Sequence, residues 1–198
     1  MRNTELTKKS KELLEVITRL TNSEAMKKQF EEKSLHDHLT GLPNRRYLEE
    51  QFLQELARAR RHAFSLACMF LDIDHFKQIN DTHGHLAGDF ILKELARLLT
   101  VQKRIYDIAA RYGGEEFVFL FKQIQAGDAS IVAERIRLSV EKHRFPFEDK
   151  DIPVTVSVGV YVLVPEATLS MEVILQKADA ALYRAKNQGR NRIVIQTG

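Results

Sequence analysis

Residues 65–81 read SLACMFLDIDHFKQIND. From Ser65 to Ile73 the segment is nearly all apolar, and its length suits a strand buried on both faces. The short helical stretch HFKQIND follows at once. A buried strand running into a helix is the building unit of an α/β sheet covered by helices. Two acids interrupt the apolar run where it ends, Asp72 and Asp74. Asp72, enclosed by Leu71 and Ile73, is costly to bury unpaired and needs a cation or hydrogen-bond donors. A strand end is rigid, so carboxylates there are held with the precision a metal requires. Mg²⁺ takes oxygen ligands, commonly one or two carboxylates plus substrate phosphates. Cys68, the chain's one cysteine, falls inside the same run and reads as a small buried hydrophobe.

A second stretch, RYGGEEFVFL at 111–120, breaks the local rules for strands in a complementary way. Glycine and acids are depleted in strands, yet GGEE leads directly into an apolar run. The reading is a hairpin, with Asp107–Tyr112 and Phe117–Phe121 as its strands and GGEE as its tip. Glu115 or Glu116 supplies a second carboxylate. Gly113 and Gly114 lack side chains, so a substrate can lie against their backbone. Tyr112 and Phe117 read as core. Lys77 follows the first acids by one helical turn, beside free N–H groups at a helix start, an arrangement suited to phosphate. Lys186 and Arg190, in AKNQGRNR, flank a helix end and a glycine turn and form a second candidate phosphate grip, although such a cluster is also ordinary on a solvated helix end.

Outward from these stretches, helices are expected from about Asn44 to Arg61, with Leu48, Phe52 and Leu56 on one face, and from about Ala87 to Thr100, with Ile91, Leu92, Leu95 and Leu98 inward. Others are expected over Asp128–Lys142 and Ser170–Lys186. The last is capped by Ser170, with Gly189 at its C-cap. Pro153–Val164 reads as a long strand and Arg192–Ile195 as a final one. The sum is an α/β (α+β) domain, one central sheet of about five strands flanked by helices. Residues 1–35 contain no Gly or Pro. There Leu6, Leu13 and Leu20 repeat every seven residues, with Ile17 between, before the register shifts to Met26 and Phe30. That is a coiled-coil type stripe, interrupted by Ser10 and Glu24. It suits a helix pairing with a second copy better than one packed on its own domain. The expected division is residues 1–36, a signalling or dimerisation helix, and 37–198, a catalytic domain.

Composition narrows the class. The chain has 198 residues, 44% hydrophobic and 29% charged, which supports a globular core and argues against disorder. A formal net charge of +3 is too small to argue for a nucleic-acid polymer as partner, and suits a small anionic ligand equally well. One cysteine gives no intrachain disulfide, which fits a reducing compartment. No apolar run approaches the ~20 residues of a membrane span, and the charged N-terminus lacks a signal-peptide core. The expectation is a soluble cytoplasmic segment without membrane contact of its own, open to an upstream sensor or membrane domain. The basic run ARARRH at 57–62 reads as a solvated helix end. His83 and His85 have a zinc-like spacing but no Cys or third His nearby in sequence.

Four ordered stretches together resemble the GGDEF family of diguanylate cyclases: DHLTGLPNRR at 37–46, DIDHFKQINDTHGHLAGD at 72–89, RYGGEEF at 111–117 in the Glu form of the signature, and ADAALYRAKNQGRNR at 178–192. The resemblance runs from about Asp37 to Ile195. It implies a nucleotide-cyclase or palm-like sheet and condensation of two GTP into cyclic di-GMP with loss of two pyrophosphates. Carried onto matching positions, it implies that Asp72, the Ile73 carbonyl and Glu115 hold Mg²⁺ or Mn²⁺, with Asp72, Glu115 and Glu116 as the catalytic acids. Lys77, Lys186 and Arg190 would hold phosphates, and Asn80 and Asp89 would read guanine. Phe76, His85, Gly113 and Gly114 would complete the substrate site. A carboxylate at Asp89 accepts from two adjacent N–H groups of guanine, a pair that adenine does not present. The 3′-hydroxyl of one GTP would attack the α-phosphate of another, with Glu115 or a metal-held water taking the proton. One GTP per domain implies a homodimer. Arg104 and Asp107, in RIYD, match the family's inhibitory RxxD motif, with Arg135 as a second arginine. Cyclic di-GMP would bind there and inhibit. The same pattern, read alone, is also an i,i+3 surface ion pair. Two rival functions stand beside the cyclase: a catalytically silent domain sensing GTP or cyclic di-GMP, and a nucleotide cyclase acting within one molecule.

Overall fold

The computed structural model describes residues 35–164 and 169–198. The seam of Leu6, Leu13 and Leu20 lies outside the described residues. Asp37–Gly198 forms a unit of its own around a five-stranded sheet. Helix α1 (Arg45–His62) is capped by Asn44, whose side chain accepts from the Tyr47 N–H, and it buries Leu48, Phe52 and Leu56. Strand β1 (Leu66–Ile73) follows, buried along its whole length. Two helices, α2 (Phe76–His83) and α3 (His85–Gln102), then lead to the hairpin of β2 (Ile108–Gly113) and β3 (Glu116–Lys122). After α4 (Ala126–Lys142) come two three-residue strands, β4 (Phe145–Phe147) and β5 (Lys150–Ile152), then β6 (Val156–Leu163). Helix α5 (Met171–Asn187) and strand β7 (Ile193–Thr197) close the chain.

The sheet order is β2-β3-β1-β6-β7, with β1 at its centre, antiparallel to both neighbours, and β6 and β7 parallel. Alternation along β1 divides the core. Ala67, Met69, Leu71 and Ile73 join the layer containing Ile91 of α3 and Ile136 of α4. Leu66, Cys68 and Phe70 join the layer containing Phe52 of α1 and Leu182 of α5. Helix α5 packs backbone on backbone against β6: a Cβ added at Gly159 would lie 2.0 Å from the Leu182 nitrogen. Only glycine permits that approach.

The structure adjusts several expectations. Leu99, not Leu98, completes the fully buried face of α3, because Ile91, Leu95 and Leu99 at i, i+4 and i+8 meet the sheet while Leu98 is only partly covered. The strand expected from Pro153 begins at Val156; a proline lacks the N–H that a ladder needs. The β4–β5 hairpin was not anticipated, since three-residue strands carry too little periodicity to read. Ser170 caps α5 as expected, accepting from the Val173 N–H. Its C-cap is Gln188, one residue before Gly189. No described helix is long and apolar enough to cross a membrane.

Candidate active site

Asp72 has the parity of Cys68 and Phe70, so it emerges at the end of β1 on the sheet face covered by α5. The β1–β3 register sets Glu116 directly opposite it, and the β1–β6 register sets Ser157 on its other side. Like charges directly opposite in a sheet repel. Lys186, in the last turn of α5, answers them, its Nζ lying 2.8 Å from Asp72 Oδ2. Lys186 and, at Glu116, Arg45 stand against three carboxylates, Asp72, Glu115 and Glu116. Burial pushes the Asp72 carboxyl up to about 6; Lys186 opposes this, and Glu115 and Glu116 add to it. Glu116 is also raised, first by burial, with Lys186 opposing and Asp179 and Glu115 adding. A buried, electron-rich cluster short of positive charge is what a divalent cation stabilises. Among the described residues no set of three or more His, Cys, Asp or Glu closes on a metal by itself. Two carboxylates completed by substrate phosphates match the coordination habit of Mg²⁺. The residues therefore fit the ion.

The hairpin tip is held from outside the sheet. The β2–β3 ladder slips between Arg111 and Gly113, a bulge that turns the tip. Arg111 then ties the tip to Asp37, ahead of α1. Its Nε and Nη2 donate to the Gly114 carbonyl at 3.0 and 2.7 Å, while Nη1 donates to both Asp37 oxygens at 3.0 and 3.2 Å. Asp37 also accepts from the Thr40 N–H and hydroxyl. Burial alone would raise the Asp37 carboxyl, but the Thr40 and Arg111 bonds outweigh it and leave it lowered. This clamp was not foreseen. Its partners stand 74 residues apart, and nothing local in the sequence couples them. Gly113 and Gly114 line an open cleft of about 570 Å³ with Asp37, Arg45 and Arg111. Arg45 lies over the Tyr112 ring, 4.6 Å from its centroid, and Tyr112 packs edge-on against Phe70.

On the other side of β1, Lys77 and Asn80 lie one turn apart on α2, and Lys77 is exposed. Asn80 Oδ1 is buried and has no hydrogen-bond partner. It lies against Gly88 of α3, where an added Cβ would come within 2.0 Å of it. Asp89 follows Gly88 in α3 and is exposed. His85, also exposed, opens α3. The Phe76 side chain is buried in the core beside Gly88 and leaves only its backbone to a ligand. Arg190, past the end of α5, is exposed.

Arg104, Asp107 and Arg135 lie near the C-terminal end of α3. Asp107 is buried, and accepts from the backbone N–H of Arg104 and that of Lys122 rather than from the Arg104 guanidinium. The simple surface ion pair is thus not formed. The exposed Arg104 side chain donates to the Tyr106 hydroxyl, and Arg135 donates to the Gln102 carbonyl.

The fold and this arrangement define an α/β domain with acids gathered at the end of its central strand. A family model described as diguanylate cyclase, GGDEF domain, matches residues 34–192, and the chain belongs to that family. It is similar to diguanylate cyclase DgcP of Pseudomonas aeruginosa, at 43% identity over 83% of this chain and 24% of that protein. It is similar to diguanylate cyclase DgcZ of Escherichia coli at 42% identity, over 82% of this chain and 54% of that one. The chain thus spans from a quarter to about half the length of these relatives. Among solved structures it resembles the coiled coil and GGDEF domain of DgcB from Caulobacter crescentus in complex with c-di-GMP (TM-score 0.86, 29% identity, 93% of this chain and 97% of that one). It also resembles the active GGEEF domain of a diguanylate cyclase from Vibrio cholerae (TM-score 0.72, 38% identity, 77% and 96%).

Proposed function

We propose that the chain condenses two GTP into cyclic di-GMP and two pyrophosphates. The observation that carries this reading is Asp72 facing Glu116 across the ladder, with Lys186 as their counter-charge. In this reading Lys77, Lys186 and Arg190 bind the triphosphate, and Asn80 and Asp89 bind the guanine edge. Asn80 Oδ1 is an acceptor awaiting a donor. Asp72, the Ile73 carbonyl and Glu115 hold Mg²⁺ or Mn²⁺, which when bound supplies positive charge at the attacking and leaving oxygens. Glu116 balances the charge of the cluster. The 3′-oxygen of one GTP forms a bond to the α-phosphorus of the other, the bond to pyrophosphate breaks, and Glu115 takes the hydroxyl proton. A second such step closes the ring.

Each domain presents one such site, so two copies must face each other, and residues 1–36 would hold them together. Cyclic di-GMP would then bind at Arg104, Asp107 and Arg135 and slow its own synthesis. The test is to incubate purified protein with GTP and Mg²⁺ and identify the products by mass. Cyclic di-GMP with pyrophosphate is expected, at a rate per molecule that rises with protein concentration. Unchanged GTP would indicate a sensor, and cyclic GMP a single-molecule cyclase.

A further inference from the structure

Asp74 has no part in the reading above, yet it is one of the few buried acids. Its carboxylate is fully engaged. Ser157 Oγ donates to Oδ1 at 2.6 Å, and Thr155 Oγ1 and the Asn191 backbone N–H donate to Oδ2 at 2.8 and 3.0 Å. The last bond reaches a segment with an unusual backbone. Arg190 and Asn191 are consecutive non-glycine residues with φ of 60° and 45°. Left-handed conformations of this kind cost free energy and persist only where the surroundings hold them.

The Arg190 N–H donates to the Ala185 carbonyl at 3.1 Å, and Asn191 is held by three side chains. Besides the Asp74 bond, the Asn191 side chain accepts from Arg137 Nη1 at 2.6 Å and donates to Glu141 at 2.7 Å. Arg137 is buried on α4 and is itself fixed by Glu134 and Glu141. One end of this network lies two residues from Asp72, and the other lies next to Arg190.

We propose that Asp74, together with the Arg137–Asn191 pair, is a positioning device that fixes the left-handed Arg190–Asn191 turn and so aims Arg190 at the terminal phosphates of GTP. The proposal rests on the proposed function, in which Arg190 grips the triphosphate. Without the network the turn relaxes towards ordinary backbone, and Arg190 swings away from the end of β1. The loss falls on phosphate binding and leaves guanine binding intact.

The test uses the full chain. Asn191→Gly keeps a residue that accepts positive φ but removes both side-chain anchors. Asp74→Leu removes every acceptor at that position, including the one that the Asn191 N–H uses. Each is expected to raise the KM for GTP about tenfold with a much smaller change in kcat, since misplacing a binding group by a fraction of an ångström is enough to do so. Affinity for GMP, which lacks the outer phosphates, stays within about twofold of wild type. In an Arg190→Ala background, Asn191→Gly adds no further loss. Asn191→Gly reads the proposal even if Asp74→Leu fails to fold. Equal losses for GMP and GTP, additive losses in the double variant, or no effect of Asn191→Gly while Arg190→Ala weakens GTP would each overturn the positioning role. If Arg190→Ala itself leaves GTP binding unchanged, the phosphate reading falls, and the proposal with it.

Discussion

Lys186 Nζ lies 2.8 Å from Asp72 Oδ2, so a residue read as phosphate-binding is paired with the acid read as metal-binding. The pair has a direct physical reading. Asp72 and Glu116 are held face to face by the β1–β3 register, and Lys186 is the nearest counter-charge. In the proposed reaction Lys186 would turn to the GTP phosphates, and Asp72 and Glu115 would hold the divalent cation in its place. Lys186→Met should therefore weaken turnover through lost phosphate binding. The expected fall in kcat/KM for GTP is about 10- to 100-fold, the worth of one hydrogen bond to a charged group. Steady-state kinetics at saturating Mg²⁺ reads it, and an unchanged kcat/KM would remove Lys186 from the substrate site.

The same cluster makes a prediction about stability and pH. In the metal-free protein Asp72 keeps its proton up to about pH 6, chiefly because burial penalises the charged form. In the unfolded chain it ionises near the usual value of about 3.9. As pH rises between these values, only the unfolded state gains from ionisation, so stability is lost across that window and the loss is complete above it. Asp72→Asn does not titrate. With a chelator present it should melt higher than wild type at pH 7.5, and the advantage should shrink as pH falls from about 6 towards 4. Melting curves across pH check the sign: an advantage that grows on acidification would mean that Asp72 stabilises the folded metal-free domain.

What could be read in the sequence follows physical range. The apolar run at 65–73, the GGEE hairpin and the helix faces are local patterns of period 2 or 3.6, and they reappear in the structure within a residue or two. Register is not local. Nothing in the order of residues says that Asp72 meets Glu116, and that pairing is what crowds the carboxylates together. The Arg111–Asp37 clamp spans 74 residues and the Asp74–Asn191 bond 117. Asp74 shows the ambiguity that follows. In sequence it is the twin of Asp72, two acids at one strand end. In space one carboxylate meets a lysine and a glutamate, and the other has its acceptors filled by hydroxyls and an N–H.

Asn80 and Gly88 predict a trade between stability and recognition. Asn80 Oδ1 is buried without a partner, and such an acceptor costs about 1–3 kcal/mol while it stays unpaired. Asn80→Ala should leave the ligand-free protein as stable as wild type, or more so, while raising the KM for GTP. Gly88→Ala should do harm on both counts. Its Cβ would enter the space of Asn80 Oδ1 at 2.0 Å and strike towards Phe76, for an overpacking cost of about 1–3 kcal/mol. Melting temperature and KM, measured on both variants, separate the two residues. A Gly88→Ala protein with normal GTP affinity would show that the α2–α3 corner does not read the base.

Arg104 and Asp107 divide the proposed inhibitory role unevenly. Asp107 is buried and accepts from two backbone N–H groups, so replacing it disturbs the turn between α3 and β2 as well as any ligand site. Arg104 and Arg135 are exposed, and their forks can engage phosphate or a guanine edge with little structural penalty. Arg104→Ala should leave the initial rate near wild type and remove the slowing of the reaction as cyclic di-GMP accumulates. Asp107→Ala should also lower the melting temperature, in line with the loss of about 1–3 kcal/mol for buried donors left unsatisfied. Progress curves with and without added cyclic di-GMP, together with calorimetric titration of nucleotide-free protein, distinguish the cases. Arg104→Ala that remains fully inhibited would move the inhibitory site elsewhere.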